Sequence, residues 1–172
     1  MAKQIPATGG EAMTQEHPGL FITWTVYGTF LPGDARGWRH RNVGPRVAIP
    51  KLDAWHRERL NHEIITLDES MRAKVDAAIR EICTFRFWPL WALAVRSNHV
   101  HVVVTAPEYK PTLVRDQLKA KATRELRRVF SAWNNRPVWA VKGDIEYLDS
   151  VEEIGQCVAY ASEAQDRKDR DQ

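Results

Sequence analysis

The stretch Asn98 to Val104 (NHVHVVV) constrains the fold more than any other part of this chain. It is short and rich in β-branched residues, which predicts a β-strand. Side chains alternate between the two faces of a strand, so His99 and His101 project from one face and Val100 and Val102 from the other. Two imidazoles on one face can bind one divalent cation if a third ligand comes from elsewhere. An exposed histidine beside a hydrogen-bonded core histidine is the simpler interpretation.

Length and composition predict one cytoplasmic domain. The 172 residues suffice for a single core, which we expect over residues 19–166, between a loosely attached segment 1–18 and a charged tail 167–172. No apolar run approaches a membrane span, and the first residues lack a signal-peptide pattern. Cys83 and Cys157 match no metal-binding spacing and are expected to be core thiols. A formal net charge of +3 is compatible with nucleic-acid binding without requiring it.

The periodicity on both sides of the histidine strand predicts an α+β fold. Strands are predicted over residues 20–29, 90–95, 98–104, 138–141 and 145–148, and helices over 52–62, 68–85, 112–130 and 151–164. The tight turn at Arg96 to Asn98 predicts a hairpin between the second strand and the histidine strand. The order β-α-β-β-α-β is typical of a ferredoxin-like antiparallel sheet with both long helices on one face. The other face is expected to be open for a site or a partner.

Two stretches carry positive charge that could contact phosphates. The helix at 112–130 holds six basic and two acidic residues, and its apolar stripe is predicted to be Leu118, Ala122, Leu126 and Val129. Its basic side chains gather on the opposite arc, except Lys119, which leans toward the sheet; they are Lys121, Arg124, Arg127 and Arg128. The loop at 33–50 surrounds Trp38 with arginines, including Arg36, Arg39 and Arg41. Solvated surface is the simpler interpretation of both stretches.

The last predicted helix carries a tyrosine away from its apolar seam. That seam consists of Val151, Ile154, Val158 and Ala161. Tyr160 lies roughly 120° from the centre of the seam by the helical period. A tyrosine that serves packing alone should lie on the seam, so Tyr160 is either simply exposed or used as a nucleophile or hydrogen-bonding group.

Together, the Asn-His-Val-His strand, the order of elements, the basic second helix and Tyr160 resemble the single-tyrosine HUH transposases. These include insertion-sequence transposases and the REP-associated tyrosine transposases. The resemblance covers roughly residues 20–165, and Tyr27 to Gly37 (YGTFLPGDARG) is similar to the opening of some members. It implies that His99 and His101 bind Mg²⁺ or Mn²⁺ and that Tyr160 is the nucleophile. The implied reaction cleaves and rejoins single-stranded or hairpin DNA through a 5'-phosphotyrosine.

The same resemblance implies a third metal ligand and a set of DNA contacts. Members place Gln or Asn four positions after the tyrosine, where this chain has Ala164. Glu163 shares the predicted face of Tyr160, and Gln165 reaches the metal if the helix loosens, so both are named. DNA would be held by Arg36, Trp38, Arg39, Arg41, Lys119, Lys121, Arg124 and Arg128. A bacterial cytoplasmic or nucleoid location is implied, no membrane partner is expected, and a homodimer is left open.

Two other functions fit the same residues. A DNA-binding protein of the same fold could have lost the chemistry, and it would bind DNA without cleaving it. A metal-dependent hydrolase could use the two histidines with an activated water, and it would turn over without a covalent intermediate. If Tyr160 is not the nucleophile, Tyr147 and Tyr109 are the next candidates.

Overall fold

The computed structural model describes residues 18–40 and 43–164. Its strands are β1 (Gly19–Thr25), β2 (Trp38–His40), β3 (Gly44–Arg46), β4 (Leu90–Val95), β5 (His99–Val104) and β6 (Asp144–Leu148). Its helices are α1 (Pro50–Arg57), α2 (Glu69–Arg86), α3 (Pro111–Val129) and α4 (Val151–Ala159), followed by a π-helical turn (Tyr160–Ala164). The predicted N-terminal segment up to residue 17 and the tail 167–172 lie outside the described residues.

The predicted α+β fold is confirmed. Four strands form an antiparallel sheet in the order β4-β5-β1-β6, and β2 and β3 form a separate hairpin. The histidine strand β5 is interior, because β4 pairs with one edge of it and β1 with the other. Backbone hydrogen bonds on both edges fix its position, as a metal site on a strand would need.

Helices α2 and α3 cover one face of the sheet, as the periodicity predicts. Asp68 caps α2, since its side chain accepts a hydrogen bond of 2.8 Å from the amide of Met71. The main core joins alternate residues of β1 and β5 to the buried stripes of both helices; its members include Ile22, Trp24, Val100, Val102, Val75, Ile79, Leu118 and Leu126. Val129 does not belong to the stripe and is 56 % exposed, because α3 ends there and the chain turns away at Phe130.

The opposite face is less open than predicted, because α4 crosses one end of it. A second cluster joins Val103 of β5 and Leu148 of β6 to Ile154 of α4, with Phe21 and Val158 packed against it. Residues 99 and 101 lie on the same face as Val103, since side chains alternate along β5. The terminal helix is therefore held beside the histidines by its own small core.

Four predicted elements differ in the structure. The helix predicted at 52–62 is α1, which ends at Arg57. The first strand stops at Thr25 rather than residue 29, because Gly28 has a φ of 74° and turns the chain. Residues 138–141 form no named strand, and a single bridge joins Val26 to Trp139. The predicted α-helix at 151–164 becomes π-helical at Tyr160. Every helix in the described ranges is too short or too polar to cross a lipid bilayer.

Candidate active site: a histidine pair beside a tyrosine

His99 and His101 stand side by side on the face of β5 that the long helices leave free. Their ring centroids are 4.8 Å apart, with an interplanar angle of 68°. The neighbouring strand β1 places Thr25 opposite His99 and Thr23 opposite His101. The alternation predicted from the sequence is therefore confirmed for this pair.

Each imidazole is held through its Nδ1 atom. Nδ1 of His101 lies 2.8 Å from the hydroxyl of Thr23, and Nδ1 of His99 lies 2.5 Å from Oδ1 of Asn98. An amide oxygen accepts hydrogen bonds, so the contact with Asn98 favours a proton on Nδ1 of His99. A metal-binding histidine is commonly oriented in this way, with the second ring nitrogen directed at the cation.

Tyr160 lies beside the histidine pair of the same chain. Its ring centroid lies 5.9 Å from that of His101 and 6.2 Å from that of Phe21, and the Phe21 and His101 rings are 5.4 Å apart. His101 is 7 % exposed and Tyr160 is 46 % exposed. The phenol thus lies at the solvent boundary of a cluster that is otherwise mostly covered.

The helix changes its winding at Tyr160. Residues Tyr160–Ala164 form a π-helical turn, in which hydrogen bonds run from i to i+5 instead of i to i+4. Such turns occur mostly as one-residue bulges in α-helices, frequently at functional sites. After a one-residue bulge, residue i+5 occupies the position relative to residue i that residue i+4 occupies in a regular α-helix. The loosening that the sequence-based hypothesis required for Gln165 is therefore present up to Ala164.

The described part of the site supplies two candidate metal ligands, His99 and His101. Within residues 18–40 and 43–164, no group of three or more His, Cys, Asp or Glu side chains could hold a metal ion. Gln165 lies outside the described residues, and the side chain of Glu163 is not described either. Two imidazoles with a carboxamide or carboxylate oxygen suit Mn²⁺, and Mg²⁺ less well because it prefers oxygen. The histidine pair fits a divalent cation, provided that the third ligand comes from the end of the chain.

The predicted DNA-binding loop carries arginine charge that is already paired. The guanidinium of Arg36 makes two hydrogen bonds of 2.8 Å to the carboxylate of Asp34 and a further one to the carbonyl of Thr29. The hydrogen bond from Arg36 holds the pKa of Asp34 below its ordinary value. Trp38 donates to the carbonyl of Val47 across the β2–β3 hairpin. Arg41 lies outside the described residues, as does the side chain of Arg39.

The predicted basic helix also has much of its charge paired. Lys121 bridges Glu81 and Glu125 at 3.1 and 3.0 Å, and Arg128 contacts Glu125 at 2.9 Å. Lys119 donates to the carbonyls of Ala140 and Lys142 at 2.8 and 2.6 Å and does not reach the histidine face. Arg124 is exposed. Since α3 packs on the other side of the sheet, the structure does not bring these four residues together with the histidines.

Sequence reasoning missed the groups that hold the histidines. Thr23 lies in the first predicted strand, where its alternation with Ile22 and Trp24 places it on the face away from the core. Asn98 belongs to the histidine motif, but the sequence alone assigns it no role. The register between β1 and β5, which brings Thr23 opposite His101, is a tertiary feature with no local signal.

An antiparallel sheet thus carries the two histidines on an interior strand, and a short terminal helix places Tyr160 beside them. The family described as "Transposase IS200 like" matches residues 59–145, about half of the chain, so the chain belongs to this family of transposases. The matched range includes both histidines and ends before Tyr160. A search of curated proteins found no significant match.

Two solved structures are similar to this chain. One is a REP-associated tyrosine transposase bound to a REP hairpin, at 14 % identity and a TM-score of 0.49, covering 98 % of this chain and 74 % of that one. The other is a candidate transposase from Deinococcus radiodurans r1, at 14 % identity and a TM-score of 0.44, covering 88 % of each chain.

Proposed function

We propose that this transposase cleaves and rejoins single-stranded or hairpin DNA, with Tyr160 as nucleophile and a divalent cation held by His99 and His101. One observation carries the proposal: the ring of Tyr160 lies 5.9 Å from that of His101 within one chain. A phenol at the solvent boundary beside two oriented imidazoles suits covalent attack on a polymer that approaches from solution. We propose the functional domain as residues 19–166, with the site complete in one chain whether or not it forms a homodimer.

The covalent step follows from the phenol. The Tyr160 oxygen attacks phosphorus, a new O–P bond forms, and the bond from phosphorus to the 3' oxygen breaks. The products are a 5'-phosphotyrosine and a 3'-hydroxyl, which takes up a proton as the phenol loses one. A bound Mg²⁺ or Mn²⁺ would polarise the scissile phosphate. Because the phosphotyrosine retains the phosphodiester energy, attack by a second 3'-hydroxyl joins a new strand and releases Tyr160 without ATP.

We propose Gln165 rather than Glu163 as the third metal ligand. In an α-helix Glu163 would share the face of Tyr160, as the sequence alone suggested. A π-helical turn rotates the i+3 position away from residue 160 and favours the i+5 position. The turn therefore supports Gln165. Gln165→Ala should lower Mn²⁺ affinity in calorimetric titration by at least the loss of about 10- to 100-fold that is typical for an outer partner of a metal ligand, whereas Glu163→Ala should leave it nearly unchanged.

The test of the proposed function is a covalent adduct. With a labelled single-stranded hairpin and Mn²⁺, the wild-type protein should give a shifted band on a denaturing gel. Tyr160→Phe and His99→Ala should abolish that band. Because Tyr160 is half exposed, its loss of one hydroxyl should change the free energy of unfolding by less than about 0.5 kcal/mol.

Tyr147→Phe is the matched control. Tyr147 is similarly exposed, but it pairs in register with Leu20, whose side chain belongs to the helix-covered face. This variant should keep the adduct. An adduct that survives Tyr160→Phe and disappears in Tyr147→Phe would show that the nucleophile is misassigned.

A DNA-binding protein that has lost the chemistry is the second candidate. The observation that favours it is Ala164, which occupies the position where the family carries its third ligand. This candidate predicts binding of single-stranded DNA without an adduct and without dependence on Mn²⁺. The same denaturing gel, run beside a binding assay, separates the two functions.

A further inference from the structure

A second positively charged feature lies where α3 ends, away from the histidines. Arg127, Asn134, Asn135, Arg136 and Pro137 line a cleft of about 580 Å³. The cleft is formed by the last turns of α3 and the loop that follows, on the helix-covered side of the sheet. A volume in this range accepts a ligand the size of one nucleotide.

Neutral groups hold both guanidiniums in place. Arg127 donates to the carbonyls of Trp133 and Arg136 at 3.2 and 2.8 Å. Arg136 donates to the carbonyl of Glu63 and packs over the rings of Trp133 and Tyr27, at 5.4 and 5.9 Å from their centroids. Carbonyls and rings orient a cation without neutralising its charge, so the cleft stays positive and ordered.

The basic residues in the middle of α3 differ from those of the cleft in the charge of their partners. There, Lys121 and Arg128 have acidic partners, which reduce their attraction for phosphate. In the part of the chain that the structure describes, the contacts of Arg127 and Arg136 are with carbonyls and aromatic rings. The sequence alone does not distinguish these basic residues, whereas the structure gives Arg127 and Arg136, at the cleft, partners that carry no negative charge.

The two asparagines of the cleft provide hydrogen-bond donors and acceptors that phosphate binding alone would not require. An arginine donates hydrogen bonds and does not accept them, whereas a carboxamide does both. Paired donors match O6 and N7 of guanine, and a carboxamide matches N6 and N7 of adenine. Asn135 has a left-handed backbone, with φ of 56°, so its side chain projects from a tight turn.

We infer that this cleft binds an unpaired purine nucleotide of single-stranded DNA, through the phosphate and the edge of the base. The inference rests on the proposed function, since it identifies a recognition site for the same substrate. Because the cleft and the histidines lie on opposite sides of the sheet, the cleft selects which DNA is held and takes no part in cleavage. A cleft of this size accommodates one nucleotide, which fits a base that is unstacked from its neighbours, as in a single strand.

Fluorescence anisotropy at fixed salt tests the inference in a Tyr160→Phe background, which separates binding from cleavage. The probes are labelled oligodeoxyadenylate and oligodeoxythymidylate of equal length. Asn134→Ala with Asn135→Gly removes both carboxamides, and glycine accepts the left-handed backbone at residue 135 without strain. The double variant should bind the adenine probe about tenfold more weakly, the size expected for a lost bidentate base contact, and the thymine probe nearly unchanged.

Arg124→Gln is the matched control, since it removes one exposed charge of α3 outside the cleft. It should weaken both probes slightly and equally, as a phosphate contact does. Unchanged adenine binding by the double variant would overturn the inference, and equal losses for both probes would overturn the base contact. If the Tyr160→Phe protein binds neither probe, the proposed DNA substrate is wrong, and so is the proposed ligand of the cleft. The covalent-adduct gel tests the chemistry independently of this binding assay.

Discussion

The histidines and the tyrosine of the candidate site are supported in different ways. The histidines lie on an interior strand, with backbone pairing on both edges and a side-chain partner at each Nδ1. Tyr160 lies at the end of a short helix that packs through a small cluster centred on Ile154. The half with the proposed metal ligands is thus part of the sheet, and the half with the proposed nucleophile is attached to it by a few side chains.

This difference suits the proposed chemistry. A metal site needs ligands fixed within a fraction of an ångström, and a sheet interior provides that. A tyrosine that becomes covalently bound to a DNA end needs access to solvent and room for the attached strand. Elements with few buried contacts open at lower free energy than a sheet interior, so the two halves should respond separately to mutation.

Ile154→Ala should have the largest effect that distinguishes the tyrosine half of the site from the histidine half. Ile154 is 7 % exposed and contacts the second cluster on the histidine face, so removing its side chain should cost about 2–3 kcal/mol. The loss should fall on α4, because the main core lies on the other side of the sheet. Hydrogen exchange of the α4 amides should quicken and adduct formation should drop. Mn²⁺ affinity should fall no further than in Gln165→Ala, because both histidines stay in place on β5.

Val151→Ala on the same helix is the control, since Val151 is exposed and its loss should change neither readout. A uniform increase in exchange across β1 and β5 as well as α4 would mean that the two halves unfold together. In that case the comparison between them would fail.

A smaller effect, on the histidine half, should come from Thr23→Val. The substitution keeps the shape of the side chain and removes the hydroxyl that contacts His101. Loss of an outer partner of a metal ligand typically lowers metal affinity about 10- to 100-fold. Calorimetric titration with Mn²⁺ should show this loss, Thr23→Ser should restore the affinity, and α4 exchange should not change.

Thr25→Val provides the matched comparison, because Thr25 pairs opposite His99 on the same strand. His99 takes its oriented contact from Asn98 instead, so Thr25→Val should leave Mn²⁺ affinity nearly intact. Equal losses in both threonine variants would indicate a general effect on the strand rather than the hydroxyl contact at His101.

Local pattern was enough to predict the two long helices, the histidine hairpin and the shared face of His99 and His101. These follow from periodicity and turn chemistry, which a single sequence displays. It was not enough for the strand at 138–141, because positive φ angles at Lys142 and Gly143 and the side-chain contacts of Trp139 decide the path there. The π-helical turn at Tyr160 likewise has no periodic signal, since the apolar seam continues to Ala161.

Charge was the least predictable property. Counting basic residues on α3 identified a positive face, but the acidic partner Glu81 comes from α2 and is invisible in the local sequence. Arg136 stands alone in a turn, so the local sequence does not distinguish it from a solvated arginine. Its importance depends on Tyr27 and Trp133, which tertiary folding brings together. Long-range pairing therefore determines which charges remain available.

The smallest expected effect is a pH dependence of stability caused by Lys119, which holds the backbone that packs against β1 at Thr23. Gly143 passes so close to β1 that an added Cβ would lie 2.6 Å from the carbonyl oxygen of Thr23, and Lys119 holds the carbonyls of Ala140 and Lys142 nearby. Burial, with the neighbouring charge of Arg115, lowers the pKa of Lys119 from 10.5 to about 8. Between these values the unfolded chain binds a proton that the folded protein does not. Stability should therefore rise with pH across this window, and the gain should be lost as pH falls through about 8.

Because Lys119 is only half buried, we expect this rise to stay below about 1 kcal/mol. Urea midpoints on either side of the window should reveal it in the wild type, and Lys119→Met should remove that component. Lys51→Met, at an exposed site on α1, should keep the wild-type slope. If Lys119→Met keeps that slope too, other groups cause it, and the support of the histidine half does not depend on this proton.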